Sequence, residues 1–347
     1  GKDPDFAPKG SLSLKSWFGN NQGLNLPKEL DVPVVEAISP YNEQIAALDK
    51  QVGAQYRRET LKDTSGASMM DPKTQVSKIH QTSILDASKK SFEANLVFAL
   101  CREYPNEYGE KIANIALNTY VNQYGQVTLA AAEAARENGN SPNTVVSGAV
   151  AIVGKKMVEP AMNASSALLN LFQFAKFSDT NSDFDYADQL QCAKEYKDVL
   201  LADSNDKFAD SLAVCLSKDT KSVFIKFLLD FAKQESGNPS TDAMIAAIWT
   251  TLAWSGMKSK KITKGTITRL PWYSRIYSTI VGVSASSDKH SEDSFCGVKL
   301  EELITSFSFT RTAFLSLMGR GPTDDELFEF QVLLGLIITN GPGTISA

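Results

Sequence analysis

The sequence predicts a mainly α-helical protein, and three observations indicate this class. Apolar residues recur at three- and four-residue steps through most of the chain after residue 92, for example across 107–121. Turn signals such as the NGNSP stretch at 138–142 separate the helical segments. Runs of alternating β-branched residues, which would indicate strands, are few.

The elements follow from these patterns. Helices are predicted at 41–61, 92–101, 107–121, 127–137, 144–157, 161–177, 186–201, 207–216, 222–234, 241–254, 300–305, 310–318 and 324–338. A short strand is predicted at 274–284, because its apolar and polar residues alternate. The last helix has the clearest start, since Thr323 can cap it and Glu326 can return a hydrogen bond to the cap.

Composition and charge exclude several classes of function. The 347 residues carry 35 Lys and Arg against 40 Asp and Glu, a formal net charge of −5, which gives little reason to expect nucleic-acid binding. No run of about 18 apolar residues is present, so we expect no membrane span. Because the four cysteines form no CxxC motif, we expect reduced thiols and a cytoplasmic protein. Only two histidines are present, which rules out a multi-histidine metal site and leaves no metal centre predicted.

The chain contains an internal similarity between residues 92–130 and 309–346. In each segment an apolar helix is followed by an arginine and then by a proline, and Pro105 and Pro322 are 217 residues apart. An acidic helix start and a glycine-containing turn come next in both segments. Two readings are open: a duplication of a unit of roughly 200 residues, or two unrelated helical hairpins.

The duplication would divide the chain into four parts. Residues 1–35, rich in Pro, Gly, Asn and Lys, predict an extended or disordered arm, and 36–256 form the first unit. The lysine-rich segment 257–264 is interpreted as a solvated linker, the alternative being an anion site. Residues 265–347 would start a second unit that stops early. We therefore expect either a fragment or a unit that something else completes.

Three stretches in the second unit resemble motifs of the citrate synthase family. Residues 295–303 read FCGVKLEEL and 317–327 read LMGRGPTDDEL, in the order and spacing of two motifs near the start of citrate synthases. Residues 337–347, IITNGPGTISA, are similar to the helix end that carries Asp-His-Gly-Pro in the citryl-CoA lyase module of ATP-citrate lyase. In the first unit, NPSTD at 238–242 resembles the family's Asn-Pro-Asn-Val-Asp motif.

The resemblance implies helical large and small domains and a carbon–carbon bond reaction beside a coenzyme A thioester, with no tightly bound cofactor. Asp242 matches the aspartate that removes a proton from the acetyl methyl group. The residue reasoning keeps an alternative, in which Asp242 is favoured at a helix start by the helix dipole alone. The substrate-binding histidine is replaced by Asn340 in the second unit and by about Tyr124 in the first. A second family histidine should fall within 206–220, where the chain has none.

These replacements affect the chemistry directly. Enolising a thioester needs a base for the carbon proton and a donor for the carbonyl oxygen, and loss of one such donor costs roughly 100- to 1000-fold in rate. Asn340 can still donate one hydrogen bond but cannot shuttle a proton. Citrate also requires cations, and no pair of arginines has the spacing of a carboxylate clamp; the available ones include Arg102, Arg136, Arg269, Arg275, Arg311 and Arg320.

Two functions of different classes are therefore expected, and a third is weaker. The first is a pseudoenzyme, a non-catalytic or scaffold subunit of an acyl-CoA assembly, paired through apolar helices with itself or with a homologous catalytic subunit. The second is an active citrate synthase or citryl-CoA lyase type enzyme, whose remaining catalytic groups lie beyond residue 347 or on a partner chain. The third is a helical binding protein whose resemblance is accidental.

Overall fold

The computed structural model describes residues 68–70, 74, 76–181, 183–203 and 206–338. The chain forms two compact units, residues 1–81 with 339–347 and residues 82–338. In the first unit, strands β1 (Ser68–Met70) and β2 (Ser77–Ile79) pair antiparallel. The predicted arm and the predicted helix at 41–61 lie outside the described residues.

The second unit is mainly helical, as the sequence predicted. Its strands are β3 (Thr82–Ser83), β4 (Ser294–Phe295) and β5 (Val298–Lys299), of which β4 and β5 form an antiparallel pair. Its α-helices are α1 (Ile84–Ala87), α2 (Phe92–Cys101), α3 (Glu107–Asn118), α4 (Val127–Glu137), α5 (Pro142–Ala151), α6 (Lys155–Leu171), α7 (Ala187–Cys192), α8 (Lys197–Leu200), α9 (Ala209–Ser217), α10 (Val223–Gln234), α11 (Thr241–Lys258), α12 (Lys264–Ser284), α13 (Leu300–Ser306), α14 (Phe309–Met318) and α15 (Asp324–Ile337). Short 3₁₀ turns lie at Ala193–Tyr196 and Ser287–Lys289.

Helix α11 lies at the centre of the core. It is apolar on nearly every side, as expected of a buried helix, and it packs against α3, α6, α10 and α12. Trp249 and Trp254 on α11 are among the largest fully buried side chains. Phe224 and Phe227 of α10 pack with Phe172, which follows α6, with ring centres about 5 Å apart. This core fixes the N-terminal end of α11, where the candidate site is found.

The predicted strand at 274–284 is wrong, because these residues form the second half of α12. The alternation arises from a helix with two different faces. Ser274 and Ser278, four residues apart, are buried against α3. Their hydroxyls donate to the carbonyl oxygens of Ala116 and Leu117, at 3.4 and 2.6 Å. Polar residues on a buried helical face therefore imitated the period of a strand.

The expected linker at 257–264 does not separate two cores. Trp254 on one side of it and Ile267 and Leu270 on the other belong to one hydrophobic cluster. Lys261 forms an ion pair with Glu103, at 2.8 Å, so the lysine-rich segment lies against α2 and its following turn. The limits of the two expected sequence units stay a prediction.

The two similar segments have matching local structure at a constant offset of 217 residues. Helices α2 and α14 each have ten residues, begin after a capping serine and end at a residue in the left-handed region. Helices α3 and α15 follow after a proline, and a side chain caps each of them. The matched positions are Ser91 and Ser308 at the first caps, Arg102 (φ 67°) and Gly319 (φ 68°) at the helix ends, and Asn106 and Thr323 at the second caps.

The packing of these segments is also reciprocal. Helix α2 contacts α14, α3 packs on α13, and α15 packs on α1. Residues at matching positions meet each other: the rings of Phe92 and Phe309 stack with centres 5.9 Å apart. The buried carboxylate of Glu93 accepts hydrogen bonds from the backbone N–H and the hydroxyl of Thr310, at 3.2 and 2.6 Å. Contact between equivalent residues is the arrangement that a two-fold axis produces.

Candidate functional site

A cleft of about 680 Å³ lies in the second unit at the N-terminal end of α11. It is formed by α6, α8, the loop after α8 and the first residues of α11. Its lining residues are Lys156, Glu159, Pro160, Asn163, Asp198, Val199, Leu201, Asp203, Asp206, Ser240 and Asp242. The structure thus places Asp242, the predicted base, in the wall of a cleft.

Asp242 is the second residue of α11, but its side chain does not cap the helix. The hydroxyl of Ser240 does so by accepting the N–H of Ala243. Asp206 supports the same end, because its carboxylate accepts the N–H of Thr241 at 2.6 Å and the hydroxyl of Thr241 at 2.5 Å. With both tasks filled by other residues, the Asp242 carboxylate is available for another contact. Its position near a helix start therefore does not account for its side-chain interactions.

The Asp242 carboxylate is held by a tyrosine from α3's end. Tyr120 donates its hydroxyl hydrogen to Oδ1 of Asp242 at 2.5 Å. The guanidinium carbon of Arg275, on α12, lies 4.2 Å from the centre of the Tyr120 ring. The three residues form one polar cluster between α3, α11 and α12, and Asp206 adds a second carboxylate nearby. We call this group the Asp242 cluster.

Burial controls the ionisation of this cluster. It raises the pKa of Asp242, against the opposing effects of the Tyr120 hydrogen bond and the Arg275 charge. Burial and the neighbouring Asp242 carboxylate raise the pKa of Tyr120 well above its usual value, so the phenol stays protonated and donates. Burial lowers the pKa of Arg275. A carboxylate whose pKa is raised in a cleft has the character of a general base.

Sequence reasoning did not assign Tyr120 or Arg275 to this site. Tyr120 was predicted only as part of an apolar helical face, and Arg275 only as one of six available arginines. The buried Nε of Arg275 has no hydrogen-bond partner in the part of the chain that the structure describes. Both residues are more than 30 residues from Asp242 in sequence, so no local motif could have joined them.

The charge of the cleft is the opposite of what a tricarboxylate needs. Its lining contains one cationic side chain, Lys156, and five carboxylates: Glu159, Asp198, Asp203, Asp206 and Asp242. Two like charges 4 Å apart repel by about 1 kcal/mol in bulk water and by about 4 kcal/mol near a protein surface. An anionic substrate with three carboxylates is therefore disfavoured here.

The other predicted site positions do not join the cleft. Tyr124 is 54% exposed in a turn after α3, and Asn340 lies outside the described residues. His290 is buried and bonded at both ring nitrogens: Nδ1 accepts the N–H of Gln123 at 3.1 Å, and Nε2 bonds the carbonyl of Gly282 at 3.1 Å. Burial lowers the pKa of His290, which gives it a structural role. No histidine is among the residues that line the cleft.

The motifs that resemble citrate synthases serve turns and helix ends in this structure. Cys296 and Gly297 form the turn between β4 and β5 with φ of 47° and 79°. Gly319 ends α14 in the left-handed region. Thr323 and Glu326 form the predicted capping box of α15, which is confirmed. These residues explain local geometry and bring no catalytic group to the cleft.

Other kinds of site were sought among the described residues. The four cysteines are free thiols, and burial raises the pKa of the Cys101 thiol. No group of three His, Cys, Asp or Glu side chains in the described ranges is arranged to hold a metal ion. No described helix has the length and apolar character needed to cross a membrane.

Comparison with known proteins gives limited information. No protein-family model matches the chain, and no curated protein matches it. Among solved structures, the chain is similar to citryl-CoA lyase from Hydrogenobacter thermophilus, with a TM-score of 0.46 and 18% identity over 64% of this chain and 86% of that one. A TM-score below 0.5 does not establish a shared fold. The resemblance to citrate synthases thus continues to depend on the sequence motifs.

Proposed function

We propose that this chain is a non-catalytic, citrate synthase-like helical subunit of an assembly that makes or breaks a carbon–carbon bond beside a coenzyme A thioester. The motifs at 295–303, 317–327 and 238–242 support the family resemblance. The reciprocal packing of α2–α3 and α14–α15 supports an origin in two diverged copies. The turn angles support it further: His80 and Gln81 have φ of 44° and 76°, nearly those of Cys296 and Gly297.

The acidic cleft is the observation that carries the non-catalytic proposal. A citrate-type reaction requires cations for the carboxylates and a donor for the thioester carbonyl. The cleft beside Asp242 offers five carboxylates against one lysine, and no histidine lines it. Arg275 is engaged with the Tyr120 ring, and its guanidinium is not among the lining groups. The chain therefore keeps a base-like carboxylate without the partners that the reaction needs.

The proposal includes partners and location. We expect association with a second copy or with a homologous catalytic subunit, a coenzyme A thioester or a citrate-like carboxylate as the ligand of the whole assembly, and no tightly bound cofactor. The cytoplasmic location expected from the cysteine spacing stays a prediction.

An assay of thiol release tests the proposal. The chain is incubated with acetyl-CoA and oxaloacetate, alongside an Asp242→Asn variant, and coenzyme A binding is measured by calorimetry. We expect no turnover from either protein, because the cleft lacks the cations and the second donor. Robust turnover that is lost in Asp242→Asn would overturn the non-catalytic role and identify Asp242 as the base.

A second candidate is an enzyme completed by another chain, and one observation favours it. Burial raises the pKa of Asp242, and Tyr120 and Arg275 hold the carboxylate in place, as a general base would require. In that case a partner would supply the acid and the cations. Turnover that appears only after a homologous subunit is added, and disappears in Asp242→Asn, would favour this candidate over the first.

A further inference from the structure

The C-terminal face of α15 is apolar and exposed. We define this face by Leu333, Leu336 and Ile337, of which Ile337 is 57% exposed and Leu333 is 53% exposed. Only Gly335 is buried among the residues of α15, where it packs against the backbone of Ser88. Large apolar side chains grouped on one helical face are typical of a surface that another helix covers.

The matching positions of α3 show what covers such a face. At the offset of 217, Leu333 corresponds to Ala116, and Leu336 corresponds to Thr119. Ala116 is fully buried and Thr119 is 4% exposed. Helix α3 packs against α11 and α12, whereas the main contacts of α15 are with α1, α2 and α14. The two helices thus share their reciprocal neighbours and differ in the cover of this face.

The contact between α3 and α12 has a specific chemistry. Ser274, Ser278 and Gly282 occur every fourth residue on α12 and form a stripe of small side chains. Ser274 and Ser278 donate to the carbonyls of Ala116 and Leu117. Gly282 lies so close to the carbonyl of Val121 that a side chain there would collide with it. This stripe allows the two helix backbones to approach closely.

We infer that the C-terminal face of α15 docks a helix of a second polypeptide that carries the small-residue stripe of α12. The inference rests on the proposed duplication. Leu333 occupies the place of Ala116, and its larger side chain would fill the space above small residues in the docked helix. The carbonyls of Leu333 and Leu334 correspond to those that accept from the serines of α12. The partner's helix therefore presents hydroxyl groups and glycine at four-residue spacing.

The probe is a fluorescent peptide with the sequence of residues 263–285, which includes α12 and its capping threonine. Binding to the full chain is followed by fluorescence anisotropy. We expect saturable binding with Kd on the order of micromolar, the range of modest helix contacts. Leu333→Asp should weaken it at least about tenfold, equivalent to about 1.4 kcal/mol. A peptide with Ser278→Leu should bind less tightly, because leucine blocks the close approach.

The control is Phe174→Asp, which places the same charge on an exposed apolar residue away from α15. This variant should bind the peptide as the parent chain does, and circular dichroism should show equal helix content in all three proteins. Absence of binding, or binding that Leu333→Asp leaves unchanged, would overturn the inference. Sedimentation showing a dimer of the parent chain that Leu333→Asp dissociates would identify a second copy as the occupant and would also overturn it.

The thiol-release assay and the peptide assay fail independently. An active chain would contradict the proposed non-catalytic role and leave the docking face untouched. An inactive chain that ignores the peptide would keep the proposed function and remove the docking face.

Discussion

Helices α3 and α15 have the same local specification and different surroundings. Each follows a proline and a capping side chain, and each is preceded by a ten-residue helix. Seven residues of α3 are buried, but only Gly335 is buried in α15. Caps and turns therefore determine where a helix starts, while its burial depends on the helices that cover it. That difference is the basis of the docking face and of the predictions below.

The largest expected difference is between two leucines at matching positions. Leu117 on α3 is fully buried, and Leu334 on α15 is partly exposed. Leu117→Ala should reduce the free energy of unfolding by about 3 kcal/mol, since it leaves a cavity in the core. Leu334→Ala should reduce it by about 1 kcal/mol. Urea denaturation of both variants measures this, and equal losses would show that α15 is as well covered as α3.

A smaller and nearly equal effect is expected at the two matching caps. Ser91→Ala and Ser308→Ala should each cost about 1 kcal/mol in the free energy of unfolding, because each removes an N-cap acceptor. Ser91→Ala should cost slightly more, since its hydroxyl also bonds to the Glu110 carboxylate at 3.1 Å. Thermal unfolding of the two variants tests this. A large cost at one cap and none at the other would weaken the structural equivalence.

The smallest effect is expected where the two helices end differently. Tyr120 after α3 contacts Asp242, whereas its match is the apolar Ile337. The pKa of Asp242 is raised in the folded chain, so the folded state binds its proton more tightly and this group destabilises the fold as pH rises above about 3.9. The effect is small, because the Tyr120 hydrogen bond and the Arg275 charge oppose the burial.

Asp242→Asn should therefore be slightly more stable than the parent at pH 7 and equal to it in acid, below the unfolded-state pKa. Stability measured by urea denaturation across this pH range gives the comparison. Asp198→Asn, in the same cleft, controls for the general loss of one negative charge. A variant that is less stable than the parent at pH 7 would mean that the charged carboxylate stabilises the fold.

Most helices could be predicted from the sequence because their signals are local. Thr323 and Glu326 lie three residues apart, and the periodicity of α3 is contained in the helix itself. The error at 274–284 has a physical reason: Ser274 and Ser278 are buried polar residues whose donors go to carbonyls of another helix. Burial of a polar side chain depends on a distant partner, which periodicity does not reveal.

The site was predicted only in part, for the same reason. Asp242 was recognised because a short motif surrounds it. Tyr120 and Arg275 reach it through the packing of α3 and α12 on α11, and the charge of the cleft depends on loops that no motif marks. Sequence reasoning could therefore name a candidate base but not its hydrogen-bond donor or its electrostatic surroundings.

Hydrogen exchange followed by mass spectrometry tests the difference between α3 and α15 most directly. Amides in covered helices open only with the global free energy of unfolding, whereas those in poorly covered helices open locally. We predict strong protection in peptides from α3 and exchange at least about tenfold faster in peptides from α15. Addition of the 263–285 peptide should slow exchange in α15 alone. Equal protection of α3 and α15 in the free chain would contradict the account.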